Sequence, residues 1–376
     1  MVIAPCHQDD KRAPVIRGIE IIRAGSFLPQ LLKLCSGVSL STQFHSGVMG
    51  KARILIYAVL QVFHGVTKGR DRGIQAINSH WLMPSGLAGA ITASILGKPH
   101  VATIHGSDVA AAEVLPLRSL ITNLIARHCS AFTSVSQYLG GRLFRLLAPS
   151  TTLQPKIHRV PMGVDEDKFR PHPEPAPDRP RILFVGRLDE RKGAEYLLEA
   201  ASMLVGDFPD MAIRIVGDGP LRRDLERRSH ESGLAGNVDF AGPLPNSELP
   251  GEYAKCQVVV VPSATNGSLV AEGLGLVAVE AAMSGRAIVA SNIGGIPEVV
   301  QDHWTGLLVR ERSPQEITSA LRFLLCDRNM RVRFSKRGRA HSLEFSEARA
   351  ADRLESALEA AMEGRNAGSS HPAERF

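Results

Sequence analysis

The segment EGLGLVAVE, Glu272–Glu280, places an acid at each end of a Gly-x-Gly and an apolar run. It follows the strand-like QVVVVPS (257–263). The pattern predicts a strand over 257–262, a loop through Glu272 and Gly275, and a helix from about 276. Glu272 then lies in the loop. Glu280 lies inside the helix, its side chain leaning back toward the helix start. The two acids are thus placed to reach different parts of one elongated ligand. Gly273 and Gly275 carry no side chain, so a ligand can approach the backbone closely. The helix start offers unpaired N–H groups and a positive dipole end to a phosphate. A nucleotide-sugar has this shape, with sugar hydroxyls at one end, a diphosphate in the middle and ribose hydroxyls at the other. The alternative, a Glu280 that is simply exposed, accounts for neither the glycines nor the position after a strand.

Outward from this segment, strand-like runs alternate with amphipathic stretches, which predicts parallel sheets wound by helices. In the first half the expected strands are VIAP, IEIIR, IQAINSHW, HVATIH and AFTSVS. PSGLAGAITASILG (84–97) reads as a helix with Pro84 in its first turn and Gly97 at its end. ILIYAVLQVF (54–63) is too short to span a bilayer and reads as a buried helix. RPHPEPAPDRP (170–180) holds five prolines in eleven residues and reads as an extended linker. Beyond it the alternation restarts with RILFVGR, a helix from 193, AIRIVGDG, a helix from 220, NVDFAG, QVVVVPS, RAIVASN and TGLLV. The expected architecture is α/β, two doubly wound domains with a cleft between them, and ligands bind beyond the carboxyl ends of such strands.

Four further loops follow strands. FVGRLDERKG (184–193) presents Arg187 and Lys192, a planar fork and a point charge suited to a diphosphate, or else a merely solvated turn. TIHGSDV (103–109) presents His105 and Asp108, and His105 could offer its ring or its carbonyl to a sugar hydroxyl. VGDGPL (216–221) lacks a full dinucleotide fingerprint and reads as a tight turn. SNIGGIPEVV (291–300) could turn the N–H groups of Gly294 and Gly295 toward an anion, or could be a plain strand-to-helix turn.

Composition narrows the classes. At 376 residues, 44% apolar and 22% charged, the chain is long enough for two domains with their own cores. Its five cysteines are scattered and form no C-x-x-C, which argues for reduced cytoplasmic thiols and against a structural zinc. Through residue 165 there are 17 Lys+Arg against 7 Asp+Glu, and 27 against 31 after it. A basic first half suits an anionic partner such as a membrane surface or a phosphorylated substrate, with solubility as the plainer alternative. With 5% aromatics and no basic stripe interleaved with them, nucleic acid is not an expected partner.

Taken together, HGSDV, VPMGVDEDKF (160–169), FVGRLDERKG, VGDGP, EGLGLVAVE and GGIPE occur in the order seen in the retaining glycosyltransferases of family 4, and the chain resembles that family over roughly residues 1–345. The resemblance implies the GT-B fold, two Rossmann-like domains facing a cleft. It divides the chain into an acceptor-side domain (1–169), the linker (170–180), a nucleotide-sugar-binding domain (181–345), a C-terminal helix (346–365) that would pack back on the first domain, and a disordered tail (366–376). Arg187 and Lys192 would bind the donor diphosphate and stabilise the leaving group. Glu272 would contact the donor sugar near the reacting face, Glu280 the ribose, and His105 the donor sugar. Gly273, Leu274 and Gly275 would offer backbone contacts. The implied reaction moves a hexose from a nucleoside diphosphate donor to a glycan or lipid-linked acceptor with anomeric configuration kept, in polysaccharide or glycolipid synthesis. No metal or other cofactor is implied, and Asp165–Asp167 reads as structural. The implied place is the cytoplasm, peripheral at the inner face of the plasma membrane. The family opens with a strand and a glycine-rich loop that have no counterpart here, so the first domain is expected to be truncated. A non-catalytic nucleotide-sugar-binding protein, or an inactive fragment, is the alternative.

Overall fold

The computed structural model describes residues 1–5, 15–16, 19–24, 48–71, 73–114, 118–147, 156–173, 179–265 and 272–369. The chain divides into two compact units, the first comprising 1–135, 139–159 and 354–376, the second 136–138 and 160–353. Residues 160–169 therefore group with the second unit, and the chain from Leu354 onward groups with the first.

In the first unit β1 (Val2–Pro5) pairs in parallel with β3 (Ile19–Ala24), and β2 (Val15–Ile16) pairs antiparallel on the other side of β3. Helix α1 (Val48–Gly69) follows, then β4 (Ile77–His80), α2 (Leu87–Leu96), β5 (His100–Ile104), α3 (Ser107–Val114), α4 (Arg118–His128), β6 (Ala131–Ser134), α5 (Gln137–Leu147) and β7 (Ile157–Arg159). Strands β4-β5-β6-β7 form a parallel sheet in that order. Every side chain of β5 and β6 is buried, as parallel strands covered on both faces require.

Two local expectations are corrected here. Pro84 precedes α2, inside a wide turn over Leu82–Gly86 in which Met83 is extended; Gly97 does close the helix in a left-handed conformation. The run 54–63 is not a buried helix. It lies within α1, whose Tyr57 is buried, while Leu55, Val59 and Phe63 are 66%, 60% and 60% exposed. Those three recur every fourth residue and form one ridge, so periodicity rather than mean hydropathy sets the orientation. Beneath the sheet surface His100 is buried with its Nε2 2.8 Å from Ser79 Oγ, and burial pushes its pKa down to about 4.

The second unit is a doubly wound domain. It runs β8 (Arg181–Val185), α6 (Ala194–Leu204), β9 (Ala212–Val216), α7 (Arg222–Glu231), β10 (Val238–Gly242), α8 (Leu249–Lys255), β11 (Val258–Val261), α9 (Leu276–Met283), β12 (Ala287–Ser291), α10 (Ile296–Val299), β13 (Leu307–Val309), α11 (Pro314–Cys326) and α12 (Arg328–Ser342). All six strands are parallel, in the order β10-β9-β8-β11-β12-β13. Apolar residues of α6, α11 and the alternating strand positions Ile182, Phe184, Ile213, Ile215, Val258 and Val260 make one core. The chain winds outward from β8 to β10 and then returns to lay β11 on the other side of β8. The topological switch point is therefore the β8–β11 boundary, where a doubly wound sheet opens a crevice at its carboxyl edge.

Helix α13 (Glu347–Ser369) continues past residue 365, where a disordered tail was expected to begin; 370–376 lie outside the described residues. Within the first unit its Leu358 and Ala361 pack on Val101 and Ala131 of β5 and β6.

Candidate active site

The two loops at the switch point carry the charged groups singled out by the sequence. After β8, residues 186–193 present Arg187 and Lys192; after β11 the chain presents Ser263 and, beyond 266–271, Glu272. Lys192 Nζ donates to Glu272 Oε2 at 2.7 Å, and Ser263 Oγ donates to the same oxygen at 3.2 Å. The two loops are stitched by Ala264 N to Arg191 O at 2.9 Å. Gly193 makes the approach possible: it sits at φ 67°, and a Cβ there would lie 2.0 Å from Pro262 O. Arg187 is 63% exposed, with its Nε 3.4 Å from Asp189 Oδ2, a carboxylate that Arg191 also holds at 2.7 Å. A long, half-tethered guanidinium can swing onto an anion that reaches Lys192.

The EGLG loop is fixed from behind by the next loop. Gly295 N donates to Glu272 O at 2.9 Å, and a Cβ on Gly295 would meet Gly273 O at 2.2 Å. The N–H of Gly295 is thus spent on holding Glu272, which corrects the reading of that group as an anion ligand. Leu274 is buried, and Gly275, at φ 88°, precedes the first turn of α9. The VGDG turn braces the other side, with Gly186 N donating to Val216 O and Leu188 N to Asp218 O, both at 2.9 Å. Asp165 Oδ1 accepts from the N–H groups of Asp167 and Lys168 at 3.1 and 3.0 Å, so it caps a turn as expected.

Glu280 is held by a partner the sequence reading missed. The buried Tyr253 donates its hydroxyl to Glu280 Oε2 at 2.8 Å, and Phe169 meets the Tyr253 ring edge-on at 5.8 Å. Burial raises the Glu280 carboxyl above the usual range, against the lowering pull of the Tyr253 hydroxyl and Lys168. Tyr253→Phe should therefore push Glu280 further up. If Glu280 must be ionised to accept from a ribose hydroxyl, donor KM should rise several-fold in Tyr253→Phe with kcat little changed, most at mildly acidic pH. Steady-state kinetics between pH 5 and 8 check this.

Lys192 and Glu272 are in direct contact, Arg187 lies five residues before Lys192 in the same loop, and Glu280 stands on the helix that the Glu272 loop opens. His105 belongs to the first unit, at the carboxyl end of β5. Asp108 is buried there and accepts from three backbone N–H groups, those of Gly106 (2.7 Å), His105 (3.1 Å) and Leu82 (3.0 Å). Ser263 and Tyr253 were invisible in the motifs; Ser263 follows a strand at the switch point, which was the available signal. Among the described residues no group of three His, Cys, Asp or Glu side chains is placed to hold a metal ion.

Residues 165–341 match the family model for glycosyl transferases group 1, and residues 26–168 match that for glycosyltransferase family 4. A GDP-mannose-dependent alpha-(1-6)-phosphatidylinositol monomannoside mannosyltransferase from Mycolicibacterium smegmatis is 33% identical over 271 residues, 69% of this chain and 70% of that protein. The protein of the same description from Mycobacterium tuberculosis is 33% identical over 249 residues, and the match covers 64% of this chain and 63% of that protein's length. A crystal structure of Anabaena HepE in complex with UDP superposes with a TM-score of 0.68 at 20% identity, covering 79% of this chain and 81% of that one. The chain belongs to the family 4, group 1 glycosyltransferases, and its two Rossmann-like units have the GT-B fold.

Proposed function

We propose that the protein transfers a hexose from a nucleoside diphosphate donor to a hydroxyl of a glycan or lipid-linked acceptor, with the anomeric configuration kept. The observation that carries this reading is the Lys192–Glu272 contact at the switch point, 2.7 Å between a cation for the diphosphate and an acid for the sugar. In this reading Arg187 and Lys192 neutralise the charge that grows on the departing diphosphate, as does the start of α9. Glu272, the Gly273–Gly275 backbone and His105 hold the sugar, and Glu280 holds the ribose. The C1–O bond to the diphosphate breaks, the acceptor oxygen bonds C1 on the same face, and the acceptor proton passes to the leaving phosphate oxygen. Protein cations carry the charge, so no metal is assigned a role.

The relatives' dependence on GDP-mannose makes it the first donor to test, with UDP-glucose beside it. Release of the nucleoside diphosphate should require both donor and acceptor and should persist in EDTA. Binding of the nucleotide without any release under a panel of lipid and glycan acceptors would instead favour a non-catalytic binding protein.

A lipid-linked acceptor would bring the protein to a membrane surface. No helix among the described residues is long and apolar enough to cross a membrane. The reading is supported by the ridge Leu55, Val59 and Phe63 on α1, a helix that contains no acidic residue, and by the basic first half of the chain. Sedimentation with vesicles of anionic lipid should show salt-sensitive binding; no binding at low salt would remove the membrane from the proposal.

A further inference from the structure

His80 was no part of the sequence motifs, yet it meets one of the proposed site residues. Strands β4 and β5 are parallel and paired with His80 opposite Thr103, so the residues at their carboxyl ends emerge side by side. His80 Nδ1 lies 3.0 Å from His105 Nε2, with the ring centroids 5.2 Å apart. The loops that carry them are joined by the buried Asp108 carboxylate, which takes the N–H of Leu82 after β4 and those of His105 and Gly106 after β5. His80 is exposed as a residue, yet partial burial of its ring lowers its pKa from the usual histidine value.

We propose that His80 is the positioning residue for His105: it holds Nε2, leaves Nδ1 as the ring atom that meets a sugar hydroxyl, and decides whether that atom donates or accepts. The inference rests on the reading of His105 as a donor-sugar contact. A neutral imidazole carries one N–H. When His80 Nδ1 carries the bridging hydrogen, the hydrogen of His105 must be on Nδ1, which then donates. When His105 Nε2 carries it, Nδ1 of His105 accepts and Nε2 of His80 carries the other. The pair therefore presents one donor and one acceptor in either state and switches as a unit, which suits a hydroxyl, itself both donor and acceptor. Adding one proton locks the donating state of His105; adding a second sets two N–H groups face to face and breaks the pair. Consistent with this, burial and the neighbouring His80 hold the His105 pKa below its usual value, against the opposing pull of Asp108.

The test compares His80→Leu, His80→Asn and His105→Ala in the full chain. Asn can place an amide N–H or C=O near the position of Nδ1, so it serves as the conservative variant. In NMR of protein labelled with 15N-histidine, the wild-type tautomers of His80 and His105 should be coupled, both rings carrying hydrogen on Nδ1 or both on Nε2, and His80→Leu should change the His105 tautomer balance and raise the His105 pKa. An unchanged tautomer and titration in His80→Leu overturns the proposal whether or not a donor is turned over. In GDP release from GDP-mannose, His80→Leu should lower kcat about tenfold or more with donor KM little changed and the acid limb moved to higher pH, and His80→Asn should recover most of the rate. If His105→Ala is crippled while His80→Leu is normal, His80 has no positioning role. If both are normal, the reading of His105 has failed and the proposal falls with it.

Discussion

Glu272→Ala is expected to reduce turnover about a thousandfold while leaving affinity for the nucleoside diphosphate equal to or tighter than that of the wild type. The sign of the second effect comes from the geometry. Glu272 sits 2.7 Å from Lys192 and is the partner that neutralises this cation in the absence of ligand. In the proposed roles, removing the carboxylate would cost the sugar its acid and release Lys192 for the diphosphate. Glu272→Gln keeps the hydrogen bond from Ser263 and removes the charge, so it separates the two contributions. Isothermal calorimetry with GDP beside single-turnover kinetics reads both quantities. A Glu272→Ala protein that binds GDP far more weakly would place Glu272 on the nucleotide and not on the sugar.

Lys192→Ala is expected to lose both. Its ammonium is the cation held in place at the switch point, whereas Arg187 is largely in solvent. Losing one preorganised charge aimed at a developing anion costs about a hundred- to a thousandfold in rate. The same substitution leaves the Glu272 carboxylate without its counter-ion, which adds repulsion toward the incoming diphosphate, so GDP affinity should fall at least tenfold. Arg187→Ala should weaken binding and turnover in the same direction but less, since its side chain must first be recruited. GDP binding to Lys192→Ala at wild-type strength would sink the assignment of this lysine.

Much of the second unit was readable in advance because its strands are short β-branched runs punctuated by glycine. RILFVGR, AIRIVGDG and QVVVVPS each contain a strand that starts within a residue of the expected start and stops two or three residues before the expected end. Strand order was not readable, because it is set by the handedness of the crossovers and by nonlocal packing. Nor were the pairings that define the site. Lys192 and Glu272 are 80 residues apart, and Tyr253 and Glu280 are 27 apart, so no local pattern links them. Helix α1 misled for a different reason. Its apolar residues surround the helix, which reads as full burial, yet only the Tyr57 side is covered and the Leu55 side faces out. His80 was passed over because it closes a strand without a neighbouring glycine, although the rule that ligands gather at strand ends applied to it as well.

His100 gives the first unit a sensitivity to acid that its partner need not share. Folded, this imidazole is kept neutral down to about pH 4; unfolded, it takes up a proton near its ordinary value of about 6.5. Between those limits the unfolded chain binds more protons, so stability declines as the pH falls through the window, by up to roughly 3 kcal/mol from this residue alone. Above the upper limit neither state is charged at this position and the effect vanishes. Mild acidification would then loosen the sheet that carries His80 and His105, and loss of activity on that side of neutrality would be a melting of the scaffold as much as a titration of the chemistry.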